Sequence, residues 1–472
     1  MLNRNENRQM KMCVVTLEEL MPQEHFLRDL DRCVDFSFIY EKVEALYSNT
    51  GRPSVDPVML VKMLLIGYLY GIESERRLEQ EIRVNIAYRW FLGIELDEPV
   101  PDHSTISQLR RRKFSGTTVF QDIFDEIVRK CIEAGLVTGK LLLTDSTHIR
   151  ACARNDLREI IEVPDTPSEY MQKLDREAYE LGLIKEPVEY DTTKTKQVTK
   201  SITDPDSGLM NRPGKPNGFC YLNHQTCDSE NGIITDVFVT PANVSDNVPH
   251  TARIECQISK FDFHTEAICA DAGYDSPEIY TAMSKVGIKS YIPIGGSGTP
   301  HKSIDGKYYD NTEFIYDKEK NIYTCPNGKT LSYRSYRKSR GHIIYVTVSS
   351  DCKSCHLKEK CIGSHRNYKM IERHLCTDVL AEQRKSINTS EYIIAMRLRK
   401  IWCEGNFAHQ KEQHNLRRTF KRGMTCFCDI MGKSEEEFWS STLREVHERW
   451  ERYGAATGKI KPVEEFREFD DD

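Results

Sequence analysis

Residues 141–151 read Leu-Leu-Leu-Thr-Asp-Ser-Thr-His-Ile-Arg-Ala, and this stretch decides how the rest of the chain is sorted. An apolar run that ends in an acid reads as a buried strand with a carboxylate, Asp145, at its carboxyl end. Burying a lone carboxylate costs several kcal/mol unless a partner offsets it. A hard cation held jointly with other acids is one such partner. The theme returns at Ala267–Ser276, AICADAGYDS, where a short apolar run closes on Asp271 with Gly273 just beyond.

Outward from these two strands, the chain divides by composition. Upstream, apolar residues recur at helical spacing from Glu24 to Tyr47, predicting one helix. Gly51-Arg52-Pro53 marks a turn. Asp56 before Pro57 marks a helix start, and the following Val58–Tyr70 helix is apolar nearly all round. Ser74 caps the next helix, with Leu78, Ile82 and Ile86 on one face. A short helix begins near Ser104 and ends in Arg110, Arg111, Arg112 and Lys113. Several short helices with a basic last one fit either a helix-turn-helix-like DNA-binding unit or a bundle with a charged face. A helix over Phe120–Ala134 leads into the Leu141 strand.

Between the acids, residues 155–200 are rich in Glu, Asp, Lys, Thr and Pro, and read as a mobile insertion. Strands are expected at Gly218–Asp228 and Gly232–Thr240 around the Ser229–Gly232 turn. Next come a turn at Pro241–Asn247, a helix to about Ile258, a helix over Pro277–Val286 and a strand over Lys289–Ile294. Gly295, Gly296 and Gly298 end the block. Residues 299–376 alternate Tyr, Ile and Val as short strands and carry Cys325, Cys352, Cys355 and Cys361. Beyond Tyr392 the chain is helical and basic. Met396–Met424 holds eight Lys or Arg against Glu404 and Glu412. Ser434 and Glu437 form a capping box for a last helix, Phe438–Tyr453. The tail is acidic.

Bulk properties limit the function. The chain has 472 residues, is 39% hydrophobic and carries a formal net charge of -6, so any DNA-binding surface must be local. The most apolar stretch, Met63–Gly71, is too short to cross a membrane. The polar N-terminus MLNRNENRQMK does not read as a signal peptide. The 16 cysteines therefore point to reduced or metal-bound thiols rather than a disulfide framework. Cys352-x2-Cys355 has knuckle spacing, and Cys325 and Cys361 complete a set of four thiolates that suits structural zinc. His356 or His365 is an alternative ligand. Free thiols in a small strand-rich segment are the other reading.

Two strand-end aspartates and a glutamate on a basic helix are three carboxylates from separate elements. Such a set can hold two divalent ions for an in-line phosphoryl displacement. Here the sequence resembles the DDE transposases of bacterial insertion sequences, in the group with an N-terminal helical domain. The resemblance spans about residues 20 to 425. It is carried by GRPSVDPVMLVKMLLIGYLYG, VPDHSTISQLRRR, LLLTDSTHIRA, SITDPDSG, GIITDVFVTPANVSDN, ICADAGYDS and KIWCEGNFAHQKEQHNLRR, in that order.

The resemblance implies a ribonuclease-H-like mixed-sheet catalytic core of the α/β class, an N-terminal all-α domain and a small strand-rich cysteine-containing insertion. The expected divisions are 1–136 (helical, DNA-binding), 137–298 (first part of the core), 299–376 (insertion), 377–455 (helical part of the core) and 456–472 (tail). It implies Asp145, Asp271 and Glu404 as catalytic metal ligands for two Mg2+ or Mn2+ ions. Many relatives carry Y-x2-R-x3-E-x6-K around the glutamate. Lys411 fits the lysine, whereas Lys400 stands at the arginine position and Arg397 at the tyrosine position. Implied partners are double-stranded DNA, as terminal inverted repeats and as target, and further copies of the chain on paired ends. Arg110, Arg111, Arg112, Lys113, Lys400, Lys411, Arg417 and Arg418 are the expected DNA contacts. The expected reaction is strand cleavage by activated water, then attack of the freed 3′-hydroxyl on target DNA, in the bacterial cytoplasm at the nucleoid. The alternative is a catalytically inactive or repurposed protein that recognises element ends.

Overall fold

The computed structural model describes residues 14–47, 54–72, 74–109, 117–165, 167–191, 193–212, 214, 217–294, 309, 311–338, 340–362, 366–414 and 416–419. Arg110–Lys113, the Gly51–Pro53 turn, the glycines after Ile294, His365 and everything from 420 onward, including the Phe438–Tyr453 helix, lie outside the described residues. The chain forms two compact units, one of 1–135 and 406–442, the other of 136–405 and 443–472. The division at Gly405 falls inside the stretch 377–455.

The first unit is helical. Asp56 accepts from the Val58 and Met59 amides and starts the Pro57–Leu69 helix, with Pro57 in its first turn. A cap of this kind contributes about 1 kcal/mol. Leu60, Met63 and Ile66 of this helix are fully buried against Leu27, Ile39, Leu78 and Ile82. The single helix expected over 24–47 is instead Phe26–Cys33, Phe38–Val43 and a short turn. The break has a local cause: the Asp35 carboxylate accepts from both the amide and the hydroxyl of Ser37, and such an Asx turn competes with helix. Asn85 likewise separates the helices Glu75–Val84 and Ile86–Leu92 by capping the second. Ile86 therefore leaves the face of Leu78 and Ile82. The His103–Leu109 helix begins where the sequence places it.

The second unit is built on an eight-stranded sheet. Its strands are β1 (Leu141–Arg150), β2 (Arg158–Pro164), β3 (Thr195–Ser201), β4 (Gly208–Met210), β5 (Gly218–Asp228), β6 (Ile234–Pro241), β7 (Ala267–Cys269) and β8 (Lys289–Tyr291). The order is β2-β3-β4-β5-β1-β7-β8, with β6 also on β5. β5 runs antiparallel to both β1 and β6, while β7 is parallel to β1 and to β8. The succession β6-β5-β1-β7-β8 is a ribonuclease-H-like core. Helices Asn247–Phe261 and Pro277–Lys285 make the crossovers between β6, β7 and β8.

Residues 155–200, expected as a mobile insertion, carry β2, the Glu169–Glu180 helix and β3. β2 and β3 pair over seven residues each. Their composition is polar because β2 is the edge strand and β3, next to it, pairs with β4 at Lys200 alone, leaving both largely exposed. The helix between them buries Leu174 and Ala178, and Ala178 packs in the core of a second, five-stranded sheet. That sheet holds β9 (Ile315–Asp317), β10 (Ile322–Thr324), β11 (Thr330–Arg337), β12 (His342–Thr347) and β13 (Met370–His374) in the order β13-β12-β11-β10-β9. Among the described residues, no helix is long and apolar enough to cross a membrane.

Candidate active site

β1 does not end at Asp145. It continues to Arg150 along β5, with Asp145 opposite Gln225. Its other neighbour, β7, stops at Cys269, paired with Leu143. Asp145 and Asp271 each lie two residues past that last pair, Asp271 beyond the carboxyl end of β7 and Asp145 inside β1 where its pairing with β7 has ended. A crevice outside the carboxyl ends of parallel strands is the usual ligand position in α/β sheets. Asp271 also caps a short turn by accepting from the Gly273 amide at 2.9 Å.

Glu404 reaches the same place from the far end of the chain. The Ser390–Arg399 helix and the Lys400–Glu404 turn after it pack on the sheet through small residues: Ala395 and Cys403 are buried with Leu143, Cys227 and Cys269. The Cys403 thiol donates to the Leu143 carbonyl, and the Trp402 indole Nε1 donates to the Ser229 carbonyl at 2.9 Å. The Ser229–Gly232 turn fits against the Trp402 ring because Gly232 has no side chain and takes φ +66.

At Lys400–Glu404 the helix widens into a π turn before the Gly405–Gln413 helix. Five residues along an ordinary α-helix rotate a side chain about 140° away. A π turn closes i→i+5 hydrogen bonds and so winds more slowly, which brings residues five apart nearer to a common face. Arg399 and Glu404 therefore point together, and Arg399 Nη2 stands 3.7 Å from Glu404 Oε1. The Nη1 of the same guanidinium donates to Asp145 Oδ2 at 2.5 Å. Lys400, at the expected arginine position, is exposed, as is Arg397.

The three acids thus share one electrostatic neighbourhood. Burial pushes the Asp145 carboxyl up to about 6; Arg399 opposes that rise, and Asp271 and Glu404 add to it. Glu404 keeps 55% of its side chain exposed, leaving it open to an incoming group. Asp246, from the Pro241–Asn247 turn, accepts from the Ser146 hydroxyl at 2.9 Å and pairs with Arg212 at 3.2 Å. Next to it Tyr274 is wholly buried, its hydroxyl held far above the ordinary value by burial and then by Asp246, Asp145 and Asp271.

All donors offered by the three acids are carboxylate oxygens, which suit hard divalent ions such as magnesium or manganese. A buried guanidinium among them already shows that the pocket accommodates positive charge. Among the described residues, the trio of possible ligand atoms within 4.8 Å of one another is Glu79, Asp102 and His103. The three acids stand wider than that, around Arg399. At the Glu79 trio, Glu79 accepts from the amide and ring of His103 at a helix start and pairs with Arg83.

Comparison with known families gives three matches. A transposase DDE domain matches residues 137–360 and a second transposase DDE domain matches 324–427. A transposase domain (DUF772) matches 15–112. The chain belongs to the DDE transposases. No curated protein matches the sequence. Among solved structures, the transposase is similar to the Mos1 transposase paired-end complex with left transposon end, at 7% identity and a TM-score of 0.16, over 58% of this chain and 69% of that one. It is also similar to the piggyBac transposase synaptic complex with hairpin DNA, at 10% identity and a TM-score of 0.27, over 90% and 73%.

The transposase's remaining expected site residues are dispersed. Lys411 is half-buried, and Arg417 and Arg418 are exposed, with Arg417 paired to Glu412. Cys325, Cys352, Cys355 and Cys361 line one small cavity beside the five-stranded sheet. Arg399, Trp402, Asp246 and Arg212 escaped sequence reading. Arg399 was hidden by its spacing, since a five-residue separation is the wrong period for a shared helical face unless a π turn is foreseen.

Proposed function

We propose that this transposase is a divalent-metal-dependent polynucleotidyl transferase that cleaves DNA strands at the ends of its element and joins them to target DNA, with Asp145, Asp271 and Glu404 as its catalytic acids. The observation that carries the reading is the gathering of three carboxylates, from segments far apart in sequence, around the Arg399 guanidinium.

Two Mg2+ or Mn2+ ions held by these acids would supply activation of water and neutralisation of charge at the scissile phosphate. The chain's own residues do the rest. Arg399 keeps Asp145 and Glu404 aimed at one spot. Trp402, seated on the Ser229–Gly232 turn, fixes the helix that carries Glu404. Ser146 and Arg212 hold Asp246 beside the site. The reaction is hydrolysis of one phosphodiester to free a 3′-hydroxyl, followed by attack of that hydroxyl on target DNA with loss of the target's own 3′-oxygen. Positioning is the main protein contribution to such a displacement.

The DNA partners are duplex terminal inverted repeats and target duplex, bound by a homo-oligomer on paired ends at the bacterial nucleoid. Lys400, Lys411, Arg417 and Arg418, with Arg110–Lys113, are the proposed phosphate contacts. The test supplies purified protein with an element-end duplex, a target plasmid and magnesium. Strand transfer supports the reading. Cutting without joining makes the protein a nuclease, and binding alone makes it an end-recognising protein without catalysis. Asp145→Asn, Asp271→Asn and Glu404→Gln are each expected to abolish cutting while end binding persists. A variant that cuts at the wild-type rate removes its residue from the site.

A further inference from the structure

Four cysteines take no part in the site above. Cys325 lies on the turn between β10 and β11, Cys352 in the Ser349–Lys353 helix, Cys355 just after it, and Cys361 at the end of the Lys358–Cys361 helix. All four are free thiols and line one cavity. The Cys325 turn has the form Cys-Pro-Asn-Gly-Lys. The Gly328 amide donates to the Cys325 carbonyl at 2.8 Å, with Gly328 at φ +73, and the Lys329 amide donates to the Cys325 sulfur at 3.3 Å.

Two of the other three sulfurs are also engaged. Asn327 Nδ2 donates to the Cys355 sulfur at 3.4 Å, and Thr347 Oγ1 lies 3.0 Å from the Cys352 sulfur. Hydrogen bonds onto sulfur are the outer contacts that orient ligating groups in a metal site. Charge points the same way. Four thiolates around a divalent ion carry a net charge of about -2. Lys329, Lys358 and Lys369 line the cavity against one carboxylate, Asp351. Asp351 pairs with Lys329 at 3.8 Å and the Lys369 ammonium lies over the Phe314 ring, and a bound thiolate cluster would add negative charge beside all three lysines.

The segments that carry the cysteines have little regular structure of their own. The two helices that carry Cys352 and Cys361 have five and four residues, far below the length at which a helix holds itself together. We propose that the sulfurs of Cys325, Cys352, Cys355 and Cys361 bind one structural zinc ion, which ties the β10–β11 turn to both short helices. Four thiolate ligands leave no position for chemistry, so the role is structural. The thiols stand wider than a closed metal cage, and the ion draws them inward.

The test is metal analysis of the full-length protein purified without chelator. About one zinc per chain is expected, falling below about one fifth in Cys352→Ser and Cys355→Ser and staying intact in Asp145→Asn. If the serine variants do not fold, the wild type carries the test: a mercurial titration should release zinc as four thiols react, and cobalt should enter with the absorption of a tetrahedral thiolate site. Zinc retained in Cys352→Ser overturns the proposal. So do iron in place of zinc, a disulfide among the four, or less than half an equivalent of zinc with unfolding indifferent to chelator.

Discussion

The Nη1 of Arg399 donates to Oδ2 of Asp145 at 2.5 Å, across 254 positions of sequence. Both groups are buried. Removing one partner of such a pair leaves the other charge uncompensated, at a cost of about 3–5 kcal/mol. Arg399→Ala should lose stability of that order in denaturant titration, and Asp145→Asn in the same chain should recover part of it. Strand cleavage by Arg399→Ala should fall at least about 100-fold, equivalent to about 2.7 kcal/mol, while end binding changes little. Lys400→Ala, one residue along, should weaken end binding as loss of one phosphate contact does, yet keep its stability and cut at nearly the wild-type rate on saturating DNA. Equal losses for the two variants would refute the π-turn register.

Gly232 gives a second test of how Glu404 is placed. A Cβ there would lie 2.3 Å from Trp402 Cε3, on a backbone at φ +66. Gly232→Ala should cost roughly 1–3 kcal/mol and lower cleavage through displacement of the helix two residues before Glu404. Unchanged melting temperature and activity would show that the turn and the ring do not hold each other.

His224 and His250 make the core acid-sensitive. Burial, above all else, holds the first down to about 4 and the second to about 3, from an ordinary value of 6.5. The His250 ring nitrogens have no partner, and around the two rings stand Asp236, Asp246, Arg253 and Tyr274. The unfolded chain takes up protons below about pH 6.5 that the folded chain refuses, so stability is full above that pH and falls as pH drops toward 4. Each unit of depression corresponds to about 1.4 kcal/mol per ring. The carboxyls of Asp145 and Glu255, pushed up by burial to about 6 and about 7, gain stability as pH falls over the same range, so the deciding quantity is the difference between the wild type and His250→Phe in the change of denaturant midpoint from pH 7 to pH 5. The wild type should lose more, or gain less, than the variant, and equal changes would contradict the buried, neutral state.

Salt tests the basic segment after Glu404. If Lys411, Arg417 and Arg418 lie on phosphates, the logarithm of end affinity should fall linearly with the logarithm of salt. The triple alanine variant should reduce the slope by about 2–3, since each contact contributes about 0.9. An unchanged slope would remove these residues from the DNA surface.

Much of the strand framework was legible in the residues themselves. The apolar runs before Asp145 and Asp271 are buried in β1 and β7 as expected, although β1 runs on past Asp145 to Arg150 instead of ending there. The strand expected at Gly218–Asp228 and the helix expected over Pro277–Val286 have bounds that the structure repeats within a few positions. The two misreadings have different causes. The 24–47 helix was broken by a side chain, Asp35, bonding to local backbone, which periodicity does not register. Residues 155–200 are polar enough to read as unstructured, yet edge pairing and the burial of Leu174 and Ala178 give them strand–helix–strand form.

Local chemistry, then, determined the strands, the caps and the presence of three acids and four spaced cysteines, because those depend on neighbours along the chain. Tertiary structure alone decided that Arg399 rather than Lys400 faces Asp145, that Trp402 rests on the turn at Gly232, and that the thiols share a cavity with three lysines. Each of these depends on groups tens to hundreds of residues apart meeting at ångström range, and on a single π turn that changes which face of a helix its side chains occupy.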